Sequence, residues 1–74
     1  MLQDLKTLSV NNASLATIDV STNTALETLN VGFNYLTSIN VTNNTALKNL
    51  YVYLNNLTAL DVSNNDALIQ LWAC

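Results

Sequence analysis

The sequence predicts a β-rich solenoid: a right-handed coil with two short parallel strands in each turn of 21 residues. Three observations indicate this fold. The chain matches itself without gaps when it is shifted by 21 residues, each copy places Leu, Ile or Val at the same positions, and apolar and polar residues alternate in short segments. A period of this length is typical of repeat architectures, in which neighbouring copies bury one another's apolar side chains. We expect one domain over residues 1–74, with about three and a half coils and no evident caps.

The repeat divides the chain into three complete copies, at residues 5–25, 26–46 and 47–67, and a partial copy at 68–74. The complete copies read LKTLSVNNASLATIDVSTNTA, LETLNVGFNYLTSINVTNNTA and LKNLYVYLNNLTALDVSNNDA. Six positions hold Leu, Ile or Val in every complete copy, and in the second copy these are Leu26, Leu29, Val31, Leu36, Ile39 and Val41. Because the same side chains return in every copy, we expect them to stack in columns and form the core.

Each complete copy contains the pattern L-x-x-[LI]-x-V twice, starting 10 residues apart. In both halves the [LI]-x-V segment alternates apolar and polar residues, which is typical of a strand. A helix is the competing interpretation of Leu-x-x-Leu, but the Thr, Asn, Ser and Val residues between the leucines are poor helix formers. We therefore expect two strands per copy, on opposite sides of the turn.

Asparagine recurs where each turn must change direction. Backbone N–H and C=O groups at such corners are costly to bury unpaired, and the Asn amide both donates and accepts hydrogen bonds. We expect five side chains to point inward and bond the backbone as two ladders: Asn34 and Asn55 at one corner, and Asn23, Asn44 and Asn65 at the other. This predicted role is structural and does not involve a ligand.

The pattern L-x-x-L-x-V-x-x-N-x-L at residues 26–36 and 47–57, together with LDVSNN and NTAL, resembles the leucine-rich repeat. The similarity is to a bacterial 21-residue class with a nested second half-repeat, LxxLxVxxNxLTxLDVSxNTA. The first copy departs from it, because Ala13 stands where the pattern has Asn. The resemblance implies a non-catalytic protein-interaction or structural module of a bacterial surface or secreted protein. No signal peptide is evident in this chain, so an extracellular location is favoured by the resemblance alone.

The composition argues against several classes of function. Two lysines against five acids give a net charge of −3, which disfavours nucleic acid binding. No apolar run approaches the roughly 20 residues of a spanning helix, so no membrane insertion is expected. Histidine is absent, and no phosphate-binding loop or metal-ligand spacing occurs, so we predict no enzyme activity, catalytic residue, cofactor or metal. The single cysteine, Cys74, cannot form a disulfide within the chain.

Two carboxylates are the nearest approach to a catalytic pair. Asp19 and Asp61 occupy the same position of the first and third copies, with Asn40 between them. Two strand spacings would separate them by about 9.5 Å, which is near the carboxylate separation of inverting glycosidases. We interpret them as residues of a solvated face, because no cleft or pKa-raising neighbour is implied around them.

Partner binding is expected at the outward positions of the first strand of each copy, since the inward ones form the core. Small polar residues in the first two copies give way to Tyr51, Tyr53 and Trp72, which we expect to form one cluster. Exposed Tyr and Trp are common anchors for a protein partner and also stack on sugar rings. The alternative is that these rings only cover the surface. Phe33 and Leu54 share the next position and are expected to pack at an edge.

The ends of the stack leave the choice of partner open. The repeat begins at the start of the chain and its last copy is partial, so both end faces of the stack are expected to lack a polar cap. The chain is then either a segment of a longer array or an element that stacks end to end on copies of itself. Three functions remain open at this point: a protein-interaction module, a self-assembling structural element and a carbohydrate-binding surface.

Overall fold

Four short parallel strands form one sheet in the computed structural model, which describes residues 2–73. The strands lie side by side in chain order: β1 (Thr7–Ser9), β2 (Thr28–Asn30), β3 (Asn49–Tyr51) and β4 (Gln70–Trp72). Within residues 2–73 the only helical element is a three-residue 3-10 turn at Leu2–Asp4. The parallel sheet confirms the prediction of a β-rich fold. Cys74 lies outside the described residues.

The pairing of the strands follows the register of the sequence repeat. One row of the sheet consists of Leu8, Leu29, Leu50 and Leu71. Each strand therefore meets the equivalent strand of the next copy at equivalent positions. Backbone bonds between copies continue past the strand ends, and Val31 N–H donates to the Tyr51 carbonyl at 2.8 Å. The connecting segments, 10–27, 31–48 and 52–69, carry the remaining core residues.

The apolar columns form the core, and burial is greatest in the middle of the stack. The buried apolar residues are Val20, Leu26, Leu29, Val31, Leu36, Ile39, Val41, Leu47, Leu50 and Val52. Towards the ends of the stack the equivalent residues are less buried: Leu71 is 43% exposed, and the partly buried ones are Leu5, Leu8, Val10, Leu15, Ile18, Leu57, Leu60, Val62 and Leu68. This gradient arises because a copy is covered on both sides only when it has a neighbour on each side.

The prediction of a second strand in each copy is wrong. Residues 18–20, 39–41 and 60–62 alternate as expected, but none of them forms a strand. The reason is that neighbouring copies form no backbone ladder here: among the described residues 16–22, 37–43 and 58–64, the one backbone hydrogen bond between copies runs from Thr58 N–H to the Thr37 carbonyl, at a long 3.4 Å. The Asp19 side chain accepts from Ser21 N–H at 2.9 Å, and the later copies repeat this turn. The turn does not by itself exclude a strand, because Asn30 accepts from Gly32 N–H in the same way at the end of β2.

Asn34 and Asn55 lie at the corner that follows the strands, and their amides bond the backbone of two copies. The Asn34 Nδ2 donates to the carbonyls of Val10, Val31 and Gly32, and its Oδ1 accepts from two N–H groups of the first copy. Asn55 repeats the arrangement one copy later, although among the described residues its Oδ1 accepts from Leu36 N–H alone. These amides satisfy corner groups that would otherwise be buried without partners.

Asn23, Asn44 and Asn65 lie buried at the opposite corner and link the copies in sequence. Asn44 Nδ2 donates to the Asn23 carbonyl at 2.9 Å, and Asn65 Nδ2 donates to the Asn44 carbonyl at the same distance. The Oδ1 atoms of Asn44 and Asn65 are buried and accept no hydrogen bond from the described residues. This corner is therefore less completely satisfied than the one at Asn34.

Candidate functional site

An apolar pocket lies at the carboxyl ends of β3 and β4. Its volume is about 640 Å³, and it is lined by Tyr51, Tyr53, Leu54 and Trp72. The structure thus brings together the three aromatic residues that the sequence suggested as a cluster, and it adds Leu54. A volume of this size falls within the range of roughly 300–1,000 Å³ that is usual for ligand pockets.

The alternation of side chains along the strands places the rings outside the core. Leu50 is fully buried, so its neighbours on β3 point to the opposite face of the sheet. Tyr51 pairs in register with Trp72 of β4, which brings two aromatic residues onto adjacent strands. The same position is Ser9 on β1 and Asn30 on β2. This row of the sheet is therefore aromatic on β3 and β4 but not on β1 and β2.

The tyrosine hydroxyl at the end of β3 is held by a polar neighbour. Tyr51 Oη donates to Gln70 Oε1 at 2.9 Å, across the pair of strands. Trp72 is 54% exposed. Neither the Tyr53 hydroxyl nor the Trp72 indole N–H bonds to another residue within 2–73. The Tyr53 hydroxyl and the Trp72 indole N–H therefore border the apolar pocket as hydrogen-bond donors without a partner among residues 2–73.

Gly32 makes room for Tyr53. Three carbons of the Tyr53 ring lie 3.0–3.2 Å from the point where a Cβ of residue 32 would stand, so the ring rests on the glycine backbone. The Phe33 ring contacts Tyr53 edge to face, with centroids 5.3 Å apart and an interplanar angle of 82°. The only glycine of the chain therefore serves to seat a ring that lines the pocket.

Phe33 and Leu54 both adopt left-handed backbone conformations, with φ of 56°. Asn12 has the equivalent position and conformation in the first copy. Asn tolerates this region, whereas a bulky side chain there is a strained exception. Both side chains are also largely exposed, at 48% for Phe33 and 57% for Leu54. Exposed apolar residues thus occupy two strained positions next to the aromatic rings.

The lining residues carry no charged group. Lys48 immediately precedes β3, and its Nζ lies 3.8 Å from Glu27 Oε1. Among the described residues, no group of three or more His, Cys, Asp or Glu side chains could hold a metal ion. No helix in residues 2–73 has the length and apolar character needed to cross a membrane.

Asp19 and Asp61 lie apart from the pocket, on exposed turns. Hydrogen bonds from the side chain and backbone of Ser21 lower the pKa of Asp19 below its ordinary value, and Ser63 does the same to Asp61. A carboxyl group that acts as a general acid near neutral pH needs a raised pKa. The shift at these two residues has the opposite direction.

Two residues of the site escaped the sequence analysis. Leu54 was expected to pack at an edge, but it lines the pocket. The sequence does not assign Gly32 to the site, although Gly32 is the single glycine of the chain and stands one copy before Tyr53.

Comparison of the chain with protein-family models, curated proteins and solved structures found no match.

Proposed function

We propose that this chain is a non-catalytic module of the leucine-rich repeat kind, a solenoid that holds a protein partner in its aromatic pocket. The support for the repeat is the constant register of the four strands, the stacked leucines and the asparagines at the corners. Each of these features returns with the sequence period, as expected when copies stack on one another.

The observation that carries the binding role is that the rings border open space. Within the described residues the one ring contact is between Phe33 and Tyr53. Tyr51, Tyr53 and Trp72 line a pocket instead of stacking on one another. Tyr and Trp bury large apolar areas at low entropic cost and are enriched among residues that dominate binding energy. An uncovered pocket of this composition suits an anchoring side chain of another protein.

The lining favours a protein over a carbohydrate partner. Sugar hydroxyls need several polar side chains around the stacked ring to replace their bonds to water. The pocket offers only the tyrosine hydroxyls and the Trp72 indole N–H, and the Tyr51 hydroxyl already bonds Gln70. A peptide segment needs fewer polar contacts, because its side chain enters the pocket while its backbone stays partly in water.

Selection of a random peptide library displayed on phage tests this function. We expect enriched peptides that bind the natural chain and lose binding to the double variant Tyr51→Ser, Trp72→Ser. The matched control is Tyr35→Ser, because Tyr35 is 61% exposed but does not line the pocket. Peptides that bind all three chains equally, or a selection without enrichment, would contradict the proposed role of the pocket.

A second candidate function is stacking on another copy of the chain. Its support is the outer side of β4, where Ile69 is 75% exposed and Leu71 is 43% exposed, whereas Leu50 in the same row is buried. An exposed strand edge with apolar side chains favours pairing with a further strand. Sedimentation velocity over a wide concentration range should then show growing species that Leu71→Asp abolishes. A monomer at every concentration excludes this alternative.

A further inference from the structure

We propose that the pocket takes the arginine side chain of a basic peptide segment. This inference rests on the proposed function and specifies its partner. The first reason is the character of the lining, since three of its four residues are aromatic. The faces of Trp and Tyr rings attract cations, and the planar guanidinium group of Arg both stacks on them and is more weakly hydrated than an ammonium group.

The charge of the chain complements a cation. Five acids face two lysines and there is no arginine, so the net charge is −3. Neither lysine lines the pocket. Lys48 pairs with Glu27, and Lys6 lies beside β1, with β2 between β1 and β3. No lining residue would repel a positive side chain. An acidic chain also attracts basic segments at low ionic strength.

The hydrogen bonds of Tyr51 indicate the same class of ligand. Its hydroxyl group donates a hydrogen bond to Gln70 Oε1, which leaves the oxygen lone pairs available as acceptors. Arginine carries only donors, arranged on a planar group. A guanidinium lying against the rings can therefore donate to Tyr51 Oη while its aliphatic stem lies along Leu54.

The size of the pocket fits a peptide side chain with part of its backbone. A volume of about 640 Å³ exceeds what one guanidinium group fills. The remaining space accommodates flanking peptide groups, whose carbonyls can accept from the Trp72 indole N–H and the Tyr53 hydroxyl. Neither donor bonds to another described residue, so a partner gains these bonds without breaking existing ones.

Trp72 provides a direct measurement, because it is the only tryptophan of the chain and it lines the pocket. Its fluorescence and its single indole N–H resonance are followed while three short glycine–serine peptides are added. The peptides differ in one central residue: arginine, citrulline, which has a similar shape without the charge, or leucine. We expect the arginine peptide to bind about fivefold more tightly than the citrulline peptide.

Variants of the protein separate ring electrostatics from apolar contact. Tyr51→Leu and Tyr53→Leu keep an apolar lining and the Trp72 reporter but remove an aromatic face. We expect each to reduce the preference for arginine over citrulline, whereas Tyr35→Leu, outside the pocket, leaves it unchanged. The peptide comparison on the natural chain remains decisive if a variant fails to fold.

The outcomes separate this inference from the proposed function. Equal binding of the arginine and citrulline peptides, or strongest binding of the leucine peptide, overturns the arginine assignment and leaves a pocket for another side chain. Absence of any Trp72 response also overturns the assignment. The proposed function itself falls only if the unbiased library selection yields no pocket-dependent peptide.

Discussion

The ring of Tyr53 rests on Gly32, with three ring carbons 3.0–3.2 Å from the position of a Cβ on residue 32. Gly32 has no positive φ, so the backbone itself accepts alanine and only the ring must move. We expect Gly32→Ala to change the free energy of unfolding by no more than about 1 kcal/mol, because reduced freedom of the unfolded chain offsets the crowding. Peptide binding should nevertheless weaken, because Tyr53 is displaced from the pocket.

Urea unfolding and the Trp72 titration check both parts of that expectation. The control is Ala25→Gly, which changes the same pair of residue types away from the pocket. If Gly32→Ala left peptide binding at its original strength, the seating of Tyr53 by Gly32 would have no part in recognition.

Leu54 occupies a left-handed position where its side chain is 57% exposed. Replacing it with Asn, the residue at the equivalent position 12, should relieve backbone strain and raise the free energy of unfolding by about 1 kcal/mol. Denaturation by urea measures this gain. Tyr35→Asn is the control, since Tyr35 is exposed without a positive φ and should gain nothing. A loss of stability in Leu54→Asn would mean that Leu54 contributes more through packing than its conformation costs.

Asp19 and Asp61 should make stability depend on acid pH. Hydrogen bonds from Ser21 and Ser63 lower their pKa values in the folded chain, so the carboxylates stabilise the fold above the ordinary Asp pKa of about 3.9. That contribution is lost as the pH falls through the lowered pKa of the folded state. Asn40 makes the same turn, accepting from Thr42 N–H at 2.9 Å, without a titrating group.

The double variant Asp19→Asn, Asp61→Asn should therefore lose less stability than the natural chain between about pH 5 and pH 2. Urea midpoints measured across this range give the comparison, and the other acids are common to both chains. Parallel curves for the two proteins would show that these turns contribute equally with a protonated carboxyl.

Asn34 should be the most costly asparagine to remove. Its side chain donates to three carbonyls and accepts from two N–H groups, all in a corner with little access to water. We expect Asn34→Ala to lower the free energy of unfolding by about 3 kcal/mol or more, since several backbone groups lose their partners. Asn43→Ala is the control: that exposed side chain makes a single bond, to the Ser21 carbonyl, and its loss should cost about 0.5 kcal/mol. Similar urea midpoints for the two variants would contradict the ladder as a source of stability.

The sequence period predicted the four strands and their register because every copy places the same leucines at the same spacing. It did not predict that the second half of each copy forms no strand, because alternation in the IDV, INV and LDV segments reports side-chain direction but not backbone hydrogen bonding. On that side of the described residues, the copies share a single long backbone bond, from Thr58 N–H to the Thr37 carbonyl. The outward positions at β3 and β4 predicted the cluster of Tyr51, Tyr53 and Trp72. They did not predict that Leu54 lines the pocket, because no pattern of residue types reveals a leucine with a left-handed backbone conformation.

The location of the pocket determines where an extra 21-residue copy can be inserted without disrupting the pocket. Its parts come from three neighbouring copies: Gly32 after β2, Tyr51 and Tyr53 at β3, and Trp72 on β4. An additional 21-residue unit placed ahead of β2 would lengthen the stack and leave this surface intact. The same insertion between β3 and β4 would add one strand spacing of about 4.8 Å to the single spacing that now separates Trp72 from Tyr51, and would divide the surface. The proposed recognition surface thus depends on one block of neighbouring copies, whereas stability depends on the whole stack.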